Sequence, residues 1–235
     1  MNNLPERVLQ AIREHAKECY PLESCGVVVV KRGKPVYIAC RNIASEGNFA
    51  IHPEDYADAE DKGKIALIVH SHPNVAPRPS PSDLIGCEKS GLPWLIVNWP
   101  TGKTYYFEPS GFELPLYGRT FNHGIIDCWT FVQDYYKKTL NIDVPHFDRR
   151  DNWWLAGENM YMDFGEEAGF RFVENPQQHD LVYMMIGSPV PNHAAIFLGD
   201  NTIGHHLEHR LSSCDVYGGS YLDATTHYLR HKDLM

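Results

Sequence analysis

The stretch HSHPNVAPRPSPSD, residues 70–83, follows the apolar run IALIV at 65–69 and leads into LIGCEKSG. The apolar run reads as a buried strand. SPSD reads as a helix start: Ser80 can cap it, Pro81 suits its first turn and Asp83 favours its positive end. A strand, a proline-rich loop and a helix in that order predict an α/β unit. His70 and His72 point to the same side of an extended chain, because side chains repeat every two residues. Two imidazoles and one carboxylate suit zinc, which in catalytic sites takes three protein ligands and keeps the fourth position for water. Such a site needs a general base. Glu23, in PLESCG between a helix and a strand, is the upstream candidate. A plain helix cap and a polar strand end would account for the same residues without a metal.

Outward from this stretch, residues 5–19 carry Val8, Leu9, Ile12 and Ala16 at helical spacing. CGVVVV at 25–30, the turn KRGKP and VYIACRN predict a hairpin. PEDYADAEDKG at 53–63 predicts a second helix with an acidic face, and WLIVNWP and KTYYFEP two more strands. PSGFELPLYGR, rich in Pro and Gly and without a clear period, predicts a linker. Beyond it, CWTFVQDYYKKTL has helical periodicity and NWWLAGENMYMDFGEEAG suggests a further helix or two. DLVYMMIG, NHAAIFLGD and NTIGHHL read as short strands. A helix followed by a run of strands is an α+β pattern. The expected organisation is two domains, 1–108 and 119–235, joined by 109–118.

The chain has 235 residues, which suits one large domain or two small ones. With 43% hydrophobic and 22% charged residues it can build ordinary globular cores. A net charge of −9 with no offsetting basic cluster argues against a nucleic-acid partner. No apolar run reaches the ~18 residues of a membrane span, so no stable membrane insertion is expected. The charged, amphipathic N-terminus lacks a signal-peptide apolar segment, which predicts a protein made in the cytosol. None of the six cysteines forms a CxxC pair, so they are expected to be free thiols rather than a zinc ribbon.

GIIDCWTFVQDYY places Cys128 at a helix start, where the helix field activates a thiol. A cysteine there can equally be a packed core residue. What tells the two apart is a histidine supplied later from a strand. His193 opens an apolar strand, where a polar tip is odd as pure core, and His205 ends the next strand. Adjacent antiparallel strands bring such positions side by side. HHLEHR offers three histidines, but no carboxylate–histidine spacing completes a second metal site there.

HSHP, six residues and SPSD fit H-x-H-P-x6-S-x-x-D, so residues 1–110 or so resemble the JAMM (MPN+) metalloproteases. The resemblance implies an α/β sandwich with zinc as cofactor and His70, His72 and Asp83 as its ligands. It implies Glu23 as general base for the zinc water and Ser80 as hydrogen-bonding partner of the tetrahedral oxyanion. The second half resembles the NlpC/P60 cysteine peptidases, papain-like α+β proteins, through DCWTFV, HDLVYM and HAAIFLGD…GHH. Carried over, Cys128 is the nucleophile, His193 the general base and His205 the residue that orients it. His206 is the alternative if the strand register slips by one. Trp129 departs from the small residue that family has after its cysteine, which narrows the cleft or alters specificity. Tyr117 falls about one residue off the place of an oxyanion tyrosine.

The two halves in one chain resemble the tail tip assembly proteins of lambda-like tailed phages. That implies a protein made in the infected cell's cytoplasm and acting at the tail tip. Its implied partners are other tail tip proteins and peptidoglycan stem peptides. Cys128 would cut γ-D-glutamyl–diaminopimelate bonds, and the zinc site a peptide or isopeptide bond. The alternative is an assembly chaperone or structural tail component with both sites silent. A host deubiquitinase-like enzyme would explain the first half alone.

Overall fold

Alternation in CGVVVV settles the first unit. In the computed structural model, which describes residues 4–44 and 47–235, Val27 and Val29 face one layer of helices and Val28 the other. The elements are α1 (Glu6–Cys19), β1 (Cys25–Lys31), β2 (Lys34–Cys40), α2 (Pro53–Lys62), β3 (Lys64–Pro73), α3 (Pro81–Ser90), β4 (Trp94–Trp99) and β5 (Thr104–Phe107). The sheet order is β2-β1-β3-β4-β5, and β3–β4 is its parallel pair, as a strand–helix–strand crossover requires. Val8, Ile12 and Ala16 of α1 cover Val28, Leu67, Val69, Leu95 and Val97. On the opposite face Ala59 of α2 and Cys87 of α3 cover Val27, Val29, Ile68 and Trp94. Each such fully buried valine or leucine contributes ~1.5–3 kcal/mol. Ile68, His70 and His72 share the α3 face by the same period of two. Gly86 lets α3 approach that face, since a Cβ there would lie 2.6 Å from the Trp94 ring.

The chain divides into the units Met1–Glu113 and Leu114–Met235. Around the changeover, the Ser110 and Phe112 N–H groups donate to the Glu88 carboxylate on α3. On the other side, Arg119 and Lys138 donate to the Leu114 carbonyl, and the Ser212 hydroxyl donates to that of Leu116. The segment predicted as a linker is thus strapped to one unit up to 112 and to the other from 114.

The second unit opens on α4 (Cys128–Tyr135), followed by a π-helical turn at Tyr136–Leu140, a 3-10 turn at Trp153–Ala156 and α5 (Met160–Phe164). Then come β6 (Phe170–Val173), β7 (Leu181–Met184), β8 (His193–Gly199), β9 (Thr202–His205), β10 (Ser213–Val216), α6 (Ser220–Ala224) and β11 (Thr225–His231). The sheet runs β10-β9-β8-β7-β11-β6 with antiparallel pairs. Asp127 caps α4 by accepting from the Thr130 N–H, and Thr130 Oγ1 accepts from the Asp127 N–H in return. Trp129, Phe131, Tyr136, Trp153, Tyr161, Phe170 and Tyr183 bury a largely aromatic core between α4 and the sheet. Both units are α+β, as expected. NWWLAGENMYMDFGEEAG forms the expected helices, both short, a 3-10 turn and α5; the differences are that the predicted helix over CWTFVQDYYKKTL is α-helical only to Tyr135 and that β6, β10 and β11 were not anticipated. No helix among the described residues is long and apolar enough to cross a membrane.

Candidate active sites of the two units

β3 carries His70 and His72 onto the face where the first turn of α3 presents Asp83. His70 Nε2 lies 3.1 Å from Asp83 Oδ1 and 3.1 Å from His72 Nε2, and His72 Nε2 lies 3.4 Å from Asp83 Oδ2. All three residues are buried. Two ligand atoms at ~2.05 Å on one tetrahedral ion lie ~3.3 Å apart, so the triangle has the size of one face of a zinc shell. The chemistry agrees: two Nε2 atoms at that spacing cannot both carry protons, and a cation satisfies both lone pairs and the carboxylate together. Phe49 stacks on the His70 ring at 4.3 Å and Trp94 packs edge-on at 5.5 Å, which fixes its plane. Burial opposes ionisation of Asp83, but the two imidazoles hold its carboxyl well below the usual carboxylate range. Burial lowers His70, whereas at His72 contact with Asp83 outweighs burial and raises the ring.

Glu23 reaches this site through strand register. Cys25 pairs with His70, the Ser24 N–H donates to Ser71 Oγ at 2.8 Å and the Ser71 N–H donates to Ser24 O at 2.9 Å. Continuing that ladder sets Glu23 opposite His72. Burial raises the Glu23 carboxyl to about 7, with His72 opposing and Asp83 adding. Ser80 is occupied as a cap: its hydroxyl donates to Asp83 Oδ2 at 2.8 Å and accepts from the Asp83 N–H at 3.1 Å. The serine therefore holds the Asp83 carboxylate in place.

In the second unit Cys128 stands at the first position of α4, as predicted, but its electrostatics run against the expectation of an activated thiol. Burial, and then the adjacent Asp127 carboxylate, push the thiol up to about 11, with the Tyr161 hydroxyl, Arg149 and the Ala194 N–H acting the other way. The sulfur is 3.0 Å from Tyr161 Oη. Among the described residues no hydrogen bond joins Cys128 to His193. Asp127 is itself paired with Arg149 at 2.8 Å, both side chains only 1% exposed. Burial works against that carboxylate, yet Arg149 brings it down to about 2.

His193 and His205 come together as predicted, with His193 Nε2 3.0 Å from His205 Nδ1. Burial, aided by the neighbouring histidines, puts His193 well below the ordinary imidazole range, and burial also lowers His205. His205 Nε2 lies 3.3 Å from Asp215 Oδ2. His206, the alternative to His205, packs edge-on against Phe121 instead. Tyr117 lies by its hydroxyl beside Gly204 and by its ring against Phe131. The reading of the sequence missed Tyr161, Arg149 and Asp215. The antiparallel pairing of β10 with β9 would have pointed to Asp215, had that short polar strand been recognised.

Comparison with known proteins agrees with this layout. The family of prokaryotic homologs of the JAB domain matches residues 5–107, and the NlpC/P60 family matches residues 116–230. The chain is 41% identical over 234 residues to the tail tip assembly protein K of Escherichia phage N15, spanning 97% of this chain and 96% of that one. It is 37% identical over 182 residues to the tail tip assembly protein K of Escherichia phage lambda, spanning 77% and 88%. A JAB1/MPN domain protein from Archaeoglobus fulgidus aligns at 23% identity and TM-score 0.31, over 46% of this chain and 90% of that one. The NlpC/p60 domain of a peptidoglycan hydrolase aligns at 20% identity and TM-score 0.33, over 49% and 89%. The chain therefore belongs to the family of phage tail tip assembly protein K, with a JAB domain followed by an NlpC/P60 domain.

Proposed function

We propose that this tail tip assembly protein carries two peptidase centres, a zinc-dependent peptide or isopeptide hydrolase in the first unit and a cysteine endopeptidase for peptidoglycan stem peptides in the second. The observation that carries the reading is the buried triangle of His70, His72 and Asp83, whose edges and donor types suit one zinc ion. Bound there, zinc would supply Lewis-acid polarisation and water of lowered pKa. His70, His72 and Asp83 would hold the ion. The Glu23 carboxylate takes and returns a proton, and its raised pKa matches that task near neutral pH. Ser80 serves the oxyanion only by turning its hydroxyl away from Asp83, so its share is smaller than the family resemblance implies.

In the second unit Cys128 attacks the scissile carbonyl, His193 takes its proton and His205 orients His193. Burial disfavours the charged forms of both Cys128 and His193, so the resting pair is neutral thiol and neutral imidazole. One observation favours a second reading, in which this unit is a non-catalytic assembly chaperone or structural part: burial and the adjacent Asp127 carboxylate raise the thiol pKa. The test of the first centre is metal content and cleavage of the other tail tip proteins by the full chain. The reading expects one zinc per chain and cleavage lost in His70→Ala/His72→Ala. Unchanged zinc in that variant would overturn it.

A further inference from the structure

The second unit contains a polar chain longer than a triad. Asp215 lies on β10 two residues beyond Ser213, which pairs with His205 across β9, so it is the diagonal neighbour of that histidine on one face. Its Oδ2 is 3.3 Å from His205 Nε2, accepts the Tyr221 hydroxyl at 3.0 Å and pairs with Arg210 Nη1 at 3.2 Å. The Tyr221 ring also packs edge-on against His205 at 5.0 Å and 88°.

These contacts determine where each proton sits. An ionised carboxylate only accepts, so His205 Nε2 must carry its hydrogen. A neutral imidazole has one N–H, which leaves His205 Nδ1 as a bare lone pair. That lone pair faces His193 Nε2 at 3.0 Å, so Nε2 is the protonated nitrogen of His193. His193 Nδ1 is the nitrogen left free. Burial keeps both rings neutral, so the assignment holds along the whole chain of bonds.

We propose that Asp215 is a positioning residue that fixes the tautomer of His205 and, through it, that of His193, so that Nδ1 of His193 is the atom that takes the Cys128 proton. The proposal rests on the cysteine-peptidase reading of this unit. The step balances simply. The Sγ–H bond breaks, an Nδ1–H bond forms, and the imidazolium donates through Nε2 to His205, whose own Nε2–H donates to Asp215. The proton on Nδ1 then goes to the leaving amine.

The test is the long-range 15N–1H spectrum of the histidine rings in the full chain at neutral pH. Signals are assigned with His193→Gln and His205→Gln. In the wild type both rings should be Nε2–H tautomers, a result that needs no Asp215 variant to fold. In Asp215→Ala His205 should lose that preference and His193 should show Nδ1–H signal. Stem-peptide turnover should fall ~10–100-fold in kcat with KM unchanged, the scale of losing an orienting partner. Asp215→Glu, which keeps the acceptor, should restore both readouts. A wild-type His193 that is Nδ1–H, or a His205 tautomer indifferent to Asp215→Ala, would overturn the proposal. If the tautomers are as stated and the wild type cuts no stem peptide, the relay stands and the peptidase reading fails instead.

Discussion

Replacing Arg149 by Met removes the charge partner of Asp127, the buried carboxylate that caps α4 and precedes Cys128 in the chain. Arg149 Nη2 sits 2.8 Å from Asp127 Oδ2, and each side chain is 1% exposed. Breaking such a pair from one side leaves an uncompensated buried charge and costs ~3–5 kcal/mol. Asp127 keeps the Gly124 and Thr130 N–H groups, which places the cost toward the lower end. Against a domain stability of ~5–15 kcal/mol the loss is large. The pH dependence has a definite sign. The folded Asp127 carboxyl lies at about 2, below its unfolded value of ~3.9, so its pairing stabilises fully above ~3.9 and is lost as pH falls through about 2. The gap between wild type and Arg149→Met should therefore be widest near neutral pH and shrink in acid. Alkylation read peptide by peptide against urea measures the units separately. Cys128 reports on the second unit, while the buried Cys25 and Cys87 report on the first and should not move. Asp127→Asn/Arg149→Met removes both charges but keeps a capping side chain, and should recover most of the loss. A cost below ~1 kcal/mol for Arg149→Met, or a double variant worse than the single one, would refute the reasoning.

Three further outcomes follow from the geometry. Glu23→Gln should retain zinc by elemental analysis and lose ~10²–10⁴-fold of any hydrolysis at the first site; zinc lost with it would make Glu23 a ligand. Tyr161→Phe removes a hydroxyl that stabilises the thiolate, so the pH midpoint of Cys128 alkylation should move upward, and a downward move would mean that Tyr161 withholds the thiol. Gly86→Ala puts a Cβ 2.6 Å from the Trp94 ring, so overpacking should cost ~1–3 kcal/mol and outweigh the ~1 kcal/mol helix gain. A stabilised Gly86→Ala protein in urea unfolding would contradict that packing.

The triangle of His70, His72 and Asp83 was legible because its three residues lie within one strand–loop–helix passage, where a period of two and a helix cap fix their directions. Glu23 was legible as a candidate only, since its placement depends on the register between β1 and β3. In the second unit Cys128, His193 and His205 stood out as polar residues opening or ending apolar elements. Tyr161 and Asp215 did not, because a five-residue helix and a four-residue polar strand leave little periodicity to read. The raised thiol pKa was also out of reach. A helix start announces its field in sequence, but the burial and the neighbouring carboxylate that outweigh it depend on tertiary packing.

The most direct measurement of the central claim is the mass of the products when the purified full chain is incubated with muropeptides containing γ-D-glutamyl–diaminopimelate bonds. The account predicts cleavage at that bond by the wild type and by His70→Ala/His72→Ala, and none by Cys128→Ala. Intact muropeptides with the wild type, or cleavage that survives Cys128→Ala, would contradict it.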